Sequence, residues 1–430
     1  MSVSIIILSA GKGTRMKSST PKVLHKICGL EMILHVLEVA KKLSDDIHVI
    51  LGHESEQIKN RICDFYKNNA INFHIQDLAR FPGTAGALII NEKPLQTKYK
   101  KVLILNGDCP NISADELLAK LELNFGIGVF RSNELLNYGH VVIENNRALQ
   151  IIEEKDCNQD QKKIDVLNAG AYIFPADVLQ ELLPKIKPNN AQNEYYLTDL
   201  IALASKKYEI TPFFVKQDNF IGVNSKLDLA KAEALKLDKI RSKFMENGVI
   251  FHLPESIYID YFSSIVGECQ IYEGTRIEKS VISNSIIKSH SIINESNVIN
   301  SEVGPFAHIR PKSQILNSKI GNFVETKAAK IIGAKANHLS YLGDCEILEG
   351  SNIGAGVITC NYDGKKKHQT KIGKNVFVGS DVQLIAPISI EDNVLIAAGS
   401  TVTKNAESGD LIISRKEQKA IKNGYFKFFK

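Results

Sequence analysis

The feature that most restricts the fold of this chain is a six-residue repeat of aliphatic side chains in its C-terminal half. Shorter runs with the same spacing begin at Ile265 and at Val303, and glycine often follows the repeated aliphatic. Such a hexapeptide pattern predicts a parallel β-helix over residues 249–430, in which each aliphatic points inward and three hexads complete one turn. The longest run comprises Ile372, Val378, Leu384, Ile390, Ile396 and Val402.

Two stretches interrupt this register, residues 326–346 and residues 359–371, and we expect both to leave the coil as loops. The second stretch contains Lys365-Lys366-Lys367, the densest basic run of the chain, which we interpret as a solvated loop tip rather than a phosphate site. A coil this narrow has little core of its own. We therefore expect it to associate with other copies of the chain.

Residues 225–248 are predicted to form one amphipathic helix. Ser225 can cap its N-terminus, with Asp228 three residues later as the partner carboxylate. Apolar residues recur from Leu227 to Phe244 at intervals of three and four, which predicts a single apolar stripe. We interpret this helix as a linker between two dissimilar domains.

Residues 1–224 alternate between strand-like and helix-like stretches. Short apolar runs begin at Val3, Ile47 and Lys101, and segments with helical periodicity separate them. Strand and helix alternating at this pace predict an α/β domain with a mainly parallel, Rossmann-like sheet.

Composition excludes several classes of protein. The 430 residues are 44% hydrophobic and 23% charged, which is typical of a globular chain. The net charge of +5 is spread along the chain, so no nucleic-acid partner is expected, and no apolar run is long enough for a membrane span. Seven cysteines without a C-x-x-C pair, and no secretion signal, favour a cytoplasmic protein without a disulfide framework.

A glycine-rich loop follows the first predicted strand. The segment Ser9-Ala-Gly-Lys-Gly-Thr-Arg-Met16 would expose backbone N–H groups to a phosphate, and Lys12, Arg15 and Lys22 add cations. The segment matches neither the dinucleotide fingerprint nor the Walker pattern. Taken alone, a plain glycine turn would explain it equally well.

Two longer motifs decide between these readings. Leu8 to Met16, followed by Pro21-Lys-Val-Leu24, resembles the nucleotidyltransferases that activate sugar 1-phosphates. Together with the hexapeptide coil, nearly the whole chain resembles the bacterial family that combines N-acetylglucosamine-1-phosphate uridylyltransferase and glucosamine-1-phosphate N-acetyltransferase activities.

This resemblance implies a left-handed β-helix and a cytoplasmic homotrimer formed through it. It implies acetylation of glucosamine 1-phosphate by acetyl-CoA, and then transfer of UMP from UTP to N-acetylglucosamine 1-phosphate with Mg²⁺. The product, UDP-N-acetylglucosamine, would supply peptidoglycan and, where present, lipopolysaccharide synthesis.

In the N-terminal domain the resemblance implies a metal pair, a nucleotide site and a sugar site. Asp108 and Asn224 would hold Mg²⁺. Arg15 and Lys22 would act in catalysis by neutralising the phosphates. The other substrate-binding positions are Leu8, Ser9, Ala10 and Gly11 for uracil and ribose, Gln76, Gly83 and Thr84 for uracil, Asn106 and Gly107 beside Asp108, and Gly139, Glu153 and Asn168 for the sugar.

In the β-helix the resemblance implies that His338 is the general base, with Glu325 orienting or polarising it. Acetyl transfer requires such a base, because the attacking amine must lose a proton. The other expected positions are Arg310 and Lys327 for the sugar phosphate, Tyr341 and Asn352 for the sugar, and Ala355, Asn361, Tyr362, Ser380, Ala398 and Arg415 for acetyl-CoA.

Some positions depart from the family pattern or suggest other chemistry. Pro82 stands where leucine is usual before Gly83, and His140 stands where arginine is frequent after Gly139. His290, His308 and His368 lack the close spacing of a zinc site, so we interpret them as surface or structural residues.

Two alternatives to the bifunctional enzyme remain open from the sequence. One is a single-activity sugar-nucleotide pyrophosphorylase whose coil serves only for assembly. The other is a regulatory or scaffolding subunit that binds nucleotide sugar without turnover. His338 and Tyr341 argue against the first alternative, because an inert coil needs neither residue.

Overall fold

The computed structural model describes residues 2–67, 71–132, 138–188, 190 and 192–429. The chain divides into two compact units, Met1–Lys236 and Leu237–Lys430. Within the described ranges, no helix combines the length and the apolar character needed to cross a membrane.

The N-terminal unit is built on one nine-stranded sheet. Its strands lie in the order β7-β6-β8-β4-β1-β2-β3, with β5 pairing with β8 and with β9. The strands are β1 (Ser4–Ser9), β2 (Asp46–Leu51), β3 (Ile71–Ile75), β4 (Lys101–Asn106), β5 (Gly126–Arg131), β6 (His140–Glu144), β7 (Arg147–Ile152), β8 (Val166–Pro175) and β9 (Thr211–Phe214).

Among the described residues, five α-helices accompany this sheet. Helix α1 buries Ile33, Val36, Leu37 and Ala40, whose spacing of three and four places them on one face. Two short strand pairs complete the unit, Lys26–Ile27 with Leu30–Glu31 and Ile89–Ile90 with Lys93–Pro94. The helices are α1 (Met32–Leu43), α2 (Ser55–Tyr66), α3 (Ala114–Leu118), α4 (Ala176–Leu182) and α5 (Leu197–Ala204).

The carboxyl ends of four parallel strands meet at one edge of the sheet. β1 pairs in parallel with β2 and β4, and β2 pairs with β3. Gly11, Gln76 and Asp108 therefore follow strand ends that lie side by side, and Leu8 stands opposite Asn106. Loops at this edge are where open α/β sheets bind ligands.

Helix α6 (Lys226–Glu246) carries the predicted N-terminal cap. The Asp228 carboxylate accepts hydrogen bonds from the Ser225 N–H and hydroxyl. The predicted apolar stripe is only partly realised, because Ile240 and Phe244 pack on the core of the C-terminal unit, whereas Leu227 is 66% exposed. Ala232 and Arg241 are the buried positions instead.

The C-terminal unit is a β-helix with three parallel sheets as its faces, which confirms the predicted left-handed hexapeptide fold. Face I contains Ile250–Phe251, Gln270–Ile271, Ile286–Ile287, Glu302–Val303, Lys319–Asn322, Lys335–His338, Asn352–Ile353, Phe377–Val378, Leu395–Ile396 and Leu411–Ile412. Face II contains Tyr258–Ile259, Arg276–Glu278, Ile292–Asn294, His308–Ile309, Glu325–Lys327, Tyr341–Gly343, Ile358–Cys360, Gln383–Ile385 and Thr401–Val402. Face III contains Ser264–Val266, Val281–Ser283, Asn297–Ile299, Gln314–Leu316, Lys330–Ile332, Cys345–Ile347, Thr370–Ile372 and Ile388–Ile390. A short helix, α7 (Gly424–Phe428), follows the coil.

The repeated aliphatics fill the interior of the coil as predicted. All six members of the longest run are at most 3% exposed, and successive members lie on faces III, I and II in turn. One prediction about this coil is wrong. Residues 326–346 do not leave it, because Thr326, Ile331, Ala336 and Leu342 are all buried in its strands.

The error has a simple cause. The inward positions just named recur twice after five residues and once after six, so a search for strict hexads finds no register there. In the second interrupted stretch, residues 361–369 do lie outside the coil strands, between Ile358–Cys360 and Thr370–Ile372.

Candidate active sites

A cleft opens at the carboxyl edge of the N-terminal sheet. Two cavities of about 400 and 470 Å³ form it and share Leu8, Thr84, Asn106 and Asp108 in their walls. A third cavity of about 330 Å³ adjoins them beside the glycine-rich loop. These volumes fit small-molecule ligands.

Nearly all the predicted N-terminal site residues lie in the walls of this cleft. The exception is Gly107, whose missing side chain has a packing reason, since a Cβ there would stand 2.1 Å from Ser9 Oγ. The first cavity is lined by Leu8, Ser9, Ala10, Gly11, Lys22, Gln76, Gly83, Thr84, Asn106 and Asp108, and the second by Arg15, Gly139, Glu153, Asn168 and Asn224.

Lys22 stands between the two predicted metal ligands. Its ammonium nitrogen lies 2.5 Å from Asp108 Oδ2 and 3.2 Å from Asn224 Oδ1. Two oxygens that contact one cationic atom already converge on one point. An Asp carboxylate and an Asn carbonyl are also the hard oxygen donors that Mg²⁺ prefers, so the residues fit that ion.

The part of the cleft predicted to hold the nucleotide combines a fixed loop with a polar atom that lacks a hydrogen-bond partner among the described residues. Gln76 Nε2 donates to the carbonyl oxygens of Phe81 and Gly83, both at 2.8 Å, and so holds the loop that carries Gly83 and Thr84. Ser9 Oγ is buried and has no hydrogen-bond partner among the described residues. A buried hydroxyl of this kind is a ready contact for a ligand.

The part of the cleft predicted to hold the sugar is a buried polar pocket. Thr198 Oγ1 donates to Glu153 Oε1 at 3.0 Å, and Asn168 Nδ2 donates to the Tyr172 hydroxyl at 2.7 Å. Burial raises the pKa of Glu153, and the hydrogen bond from Thr198 partly offsets this. These hydrogen bonds fix the orientations of the Glu153 and Asn168 side chains, so that both can bind a polar ligand.

In the β-helix, the coil register aligns His338 with three of the predicted acetyl-CoA residues. His338, Ala355, Ser380 and Ala398 each stand two positions after the buried residue of a face I strand. They therefore form one column along a corner of the coil, which we call the His338 column. Neighbouring coils are about 4.8 Å apart, so the column extends for about 14 Å.

The wall beside this column holds the cationic residues. Arg310 Nη1 donates to Glu325 Oε1 at 2.5 Å, so the Glu325 carboxylate, which we expected to orient His338, pairs with Arg310. Lys327 lies on the same face II, and contact with the Lys367 amine, together with the charge of Lys367, lowers the pKa of Lys327. Three cationic side chains thus gather near one another, which suits a phosphate.

Gly343 positions a second part of this wall. A Cβ there would stand 2.5 Å from the Tyr341 hydroxyl and 2.7 Å from Asn361 Nδ2, so only glycine leaves room for both groups. Asn361 Nδ2 donates to Asp344 Oδ2 at 2.5 Å. Sequence reasoning assigned no role to Gly343 or Asp344 and interpreted Lys367 as part of a solvated loop tip, because the importance of these residues depends on which coils become neighbours.

The remaining predicted residues are more dispersed. Asn352 lies in a face I strand, on a different face from Tyr341. Tyr362 is 62% exposed on the loop outside the coil. Arg415 Nη1 donates to the Ala398 carbonyl oxygen at 2.5 Å, which attaches it to the end of the His338 column.

Together the fold and the two sites define a two-domain transferase, with a nucleotide-binding α/β unit and a hexapeptide-repeat coil. Residues 4–220 match the nucleotidyl transferase family, and residues 369–404 match the bacterial transferase hexapeptide family, with six repeats. The chain is 51% identical to the bifunctional protein GlmU of Campylobacter lari over 100% of both chains. It is 52% and 53% identical to the proteins of that name from Wolinella succinogenes and Helicobacter pylori, over 100% of this chain and 99% of each relative.

The chain therefore belongs to the bifunctional GlmU family. This confirms the expectation that it is an enzyme with uridylyltransferase and acetyltransferase activities. The single-activity alternative is not favoured.

Proposed function

We propose that the two predicted residue sets are the working active sites of the two reactions. The observation that carries this proposal is their convergence. Residues far apart in the sequence gather around Lys22 and Asp108 in one unit and beside His338 in the other. We further propose residues 1–224 and 249–430 as the two functional domains, with 225–248 as the linker.

In the N-terminal unit, an oxygen of N-acetylglucosamine 1-phosphate attacks the α-phosphorus of UTP and pyrophosphate leaves. Asp108 and Asn224 hold Mg²⁺, which supplies charge neutralisation at the phosphates when bound. Lys22 and Arg15 add positive charge, which offsets the repulsion between the two anionic substrates. The attacking phosphate oxygen is already ionised at neutral pH, so no side chain needs to act as a base.

In the β-helix, the amine of glucosamine 1-phosphate attacks the thioester carbonyl of acetyl-CoA and the CoA thiol leaves. His338 accepts the proton that the amine loses. Arg310 and Lys327, joined by Lys367, bind the sugar phosphate, and Tyr341 and Asn352 contact the sugar. The pantetheine arm lies along the His338 column, where Ala355, Ser380 and Ala398 are small enough to let it approach the backbone.

We also propose that the enzyme is a homotrimer assembled through the β-helix. One corner of the coil carries a column of side chains next to His338, in which Phe306, Phe323 and Leu339 are 47%, 57% and 63% exposed. His290 stacks on Phe306, and Phe306 stacks on Phe323. Exposed apolar surface of this extent is typical of a contact surface.

The state of the cysteines bears on the cellular compartment in which the enzyme works. All seven cysteines are free thiols. Free thiols are usual in a reducing compartment, so we propose that the enzyme works in the cytoplasm.

Two single variants test the assignment of the sites. Asp108→Asn should lower pyrophosphate release from UTP and N-acetylglucosamine 1-phosphate at least about 100-fold and leave acetyl transfer unchanged. His338→Ala should do the converse, with a loss of about 10²–10⁴-fold. Products would be identified by mass spectrometry after mixing glucosamine 1-phosphate, acetyl-CoA, UTP and Mg²⁺.

The outcomes separate the alternatives. If His338→Ala acetylates as fast as the unmodified chain, the proposed acetyltransferase site is wrong. If Asp108→Asn releases pyrophosphate normally, the proposed metal pair is wrong. An unmodified chain that binds UDP-N-acetylglucosamine but makes none would support a regulatory subunit instead.

A further inference from the structure

A cluster of three potential metal ligands lies beside the sugar end of the cleft. The antiparallel pairing of β6 with β7 places His140 opposite Ile152. The chain then turns, so that Glu154 and Cys157 come back towards the His140 ring. A ring nitrogen of His140, a Glu154 carboxylate oxygen and Cys157 Sγ all lie within 4.8 Å of one another.

The hydrogen bonds of His140 orient its ring for binding a cation. Nδ1 lies 2.8 Å from the carbonyl oxygen of Ile164, and because a carbonyl only accepts, Nδ1 carries the proton. Nε2 then faces the cluster, 2.7 Å from Glu154 Oε2. Metal-binding histidines typically donate their other ring N–H to a carbonyl in this way.

Each inner ligand atom has a hydrogen-bond partner that a cation would replace, since His140 Nε2 and Glu154 Oε2 bond to each other and Cys157 Sγ donates to the Ile152 carbonyl oxygen at 3.6 Å. Lys162 pairs with the other carboxylate oxygen, Glu154 Oε1, at 2.9 Å. The His140 side chain is 7% exposed and that of Glu154 is 22% exposed, so the cluster is largely shielded from water.

We propose that His140, Glu154 and Cys157 form a Zn²⁺ site distinct from the Mg²⁺ pair of Asp108 and Asn224. One imidazole nitrogen, one carboxylate oxygen and one thiolate sulfur are a donor set that selects zinc over magnesium. Tetrahedral zinc with bonds of about 2.0–2.3 Å needs ligand atoms about 3.3–3.8 Å apart, so the side chains move by about 1 Å or less. The ion takes the place of the proton between Nε2 and Oε2, and the fourth position is open to water.

The site is joined to the sugar pocket through the backbone. Gly139 precedes His140, and Glu153 precedes Glu154, and both line the second cavity of the cleft. Zinc would tie the start of β6 to the segment after β7 and so fix these two sugar-pocket residues relative to each other.

Cobalt substitution tests this proposal on the full chain. Titrated with Co²⁺ in the presence of excess Mg²⁺, the protein should bind one ion at this site, with a thiolate-to-cobalt charge-transfer band and the intense visible bands of tetrahedral coordination. Cys157→Ser should abolish the charge-transfer band, and His140→Asn should weaken binding at least about 10-fold. Stoichiometric Zn²⁺ should displace the cobalt and remove both bands.

A matched variant controls for the other six free thiols. Cys63→Ser removes an exposed cysteine on α2 and should leave the spectrum unchanged. Retention of the charge-transfer band in Cys157→Ser, its loss in Cys63→Ser, or the absence of any tetrahedral cobalt signal would each overturn the proposal. Because the spectrum is independent of turnover, these outcomes do not depend on the two proposed activities.

Discussion

Gly379 lies beside the His338 column, where the backbones of two neighbouring coils are in close contact. A Cβ at this position would stand 2.5 Å from the backbone nitrogen of Ala398, where ordinary contacts are 3.4–4 Å. The obstacle is backbone rather than a flexible side chain. Gly379→Ala therefore forces the two coils apart by about 1 Å.

That separation has a calculable cost. The hydrogen bond from the Gly379 N–H to the Ile396 carbonyl oxygen, now 2.8 Å, would lengthen beyond bonding distance. Losing it costs about 1 kcal/mol, and the forced repacking costs about 1–3 kcal/mol. We expect the local stability of these coils to fall by about 2–4 kcal/mol, which is a loss of amide protection of roughly 30- to 1,000-fold.

Hydrogen exchange followed by mass spectrometry, on peptides from residues 376–400, measures this directly. The rate of acetyl transfer should fall together with the amide protection, because separating the two coils distorts the His338 column, where the pantetheine arm of acetyl-CoA is proposed to lie. The rate of pyrophosphate release should be unchanged. Ser380→Ala is the matched control for hydrogen exchange only, since it adds no atom at the neighbouring position. Protection in Gly379→Ala within about threefold of the control would refute the argument that close coil contact shapes the column.

Two further predictions concern basic side chains of the N-terminal unit, Lys22 and His35. Lys22→Met removes the cation between Asp108 and Asn224, so uridylyl transfer should fall at least about 100-fold while acetyl transfer is unchanged. Lys59→Met, on the exposed surface of α2, serves as its control, and equal rates for the two variants would contradict the assignment. Burial lowers the pKa of His35 from 6.5 to about 3, so as the pH falls below 6.5 the unfolded chain takes up a proton that the folded chain excludes. As the pH is lowered, the free energy of unfolding should therefore decrease more steeply than in His35→Gln, by up to about 1.4 kcal/mol per pH unit. Urea denaturation between pH 7 and pH 4 measures both slopes. Parallel curves for the two proteins would show that His35 is not responsible.

Most of the N-terminal site could be predicted before the fold was known. The glycine-rich loop and Asp108 each follow an apolar run, and parallel strands bring such positions to one edge of a sheet. The contact of Lys22 with both Asp108 and Asn224 could not be predicted, because it depends on how three distant segments fold onto that edge.

In the β-helix, the strict six-residue periodicity predicted the coil correctly but led to one wrong prediction. Hexads identified the fold because the inward position is a local property of each strand. The stretch 326–346 was misassigned as a loop because a coil corner can shorten by one residue without breaking the stack. Only the register between coils shows this.

The sequence by itself determined the two folds and the types of side chain at both sites, because hydrophobic periodicity and residue type are local properties of the chain. Tertiary structure alone decided which of those groups meet. Lys367 reaches Lys327 only because the loop after Cys360 returns to the coil, and Cys157 reaches His140 only because a hairpin closes between them. Contacts of this kind depend on long-range register, which no local pattern encodes.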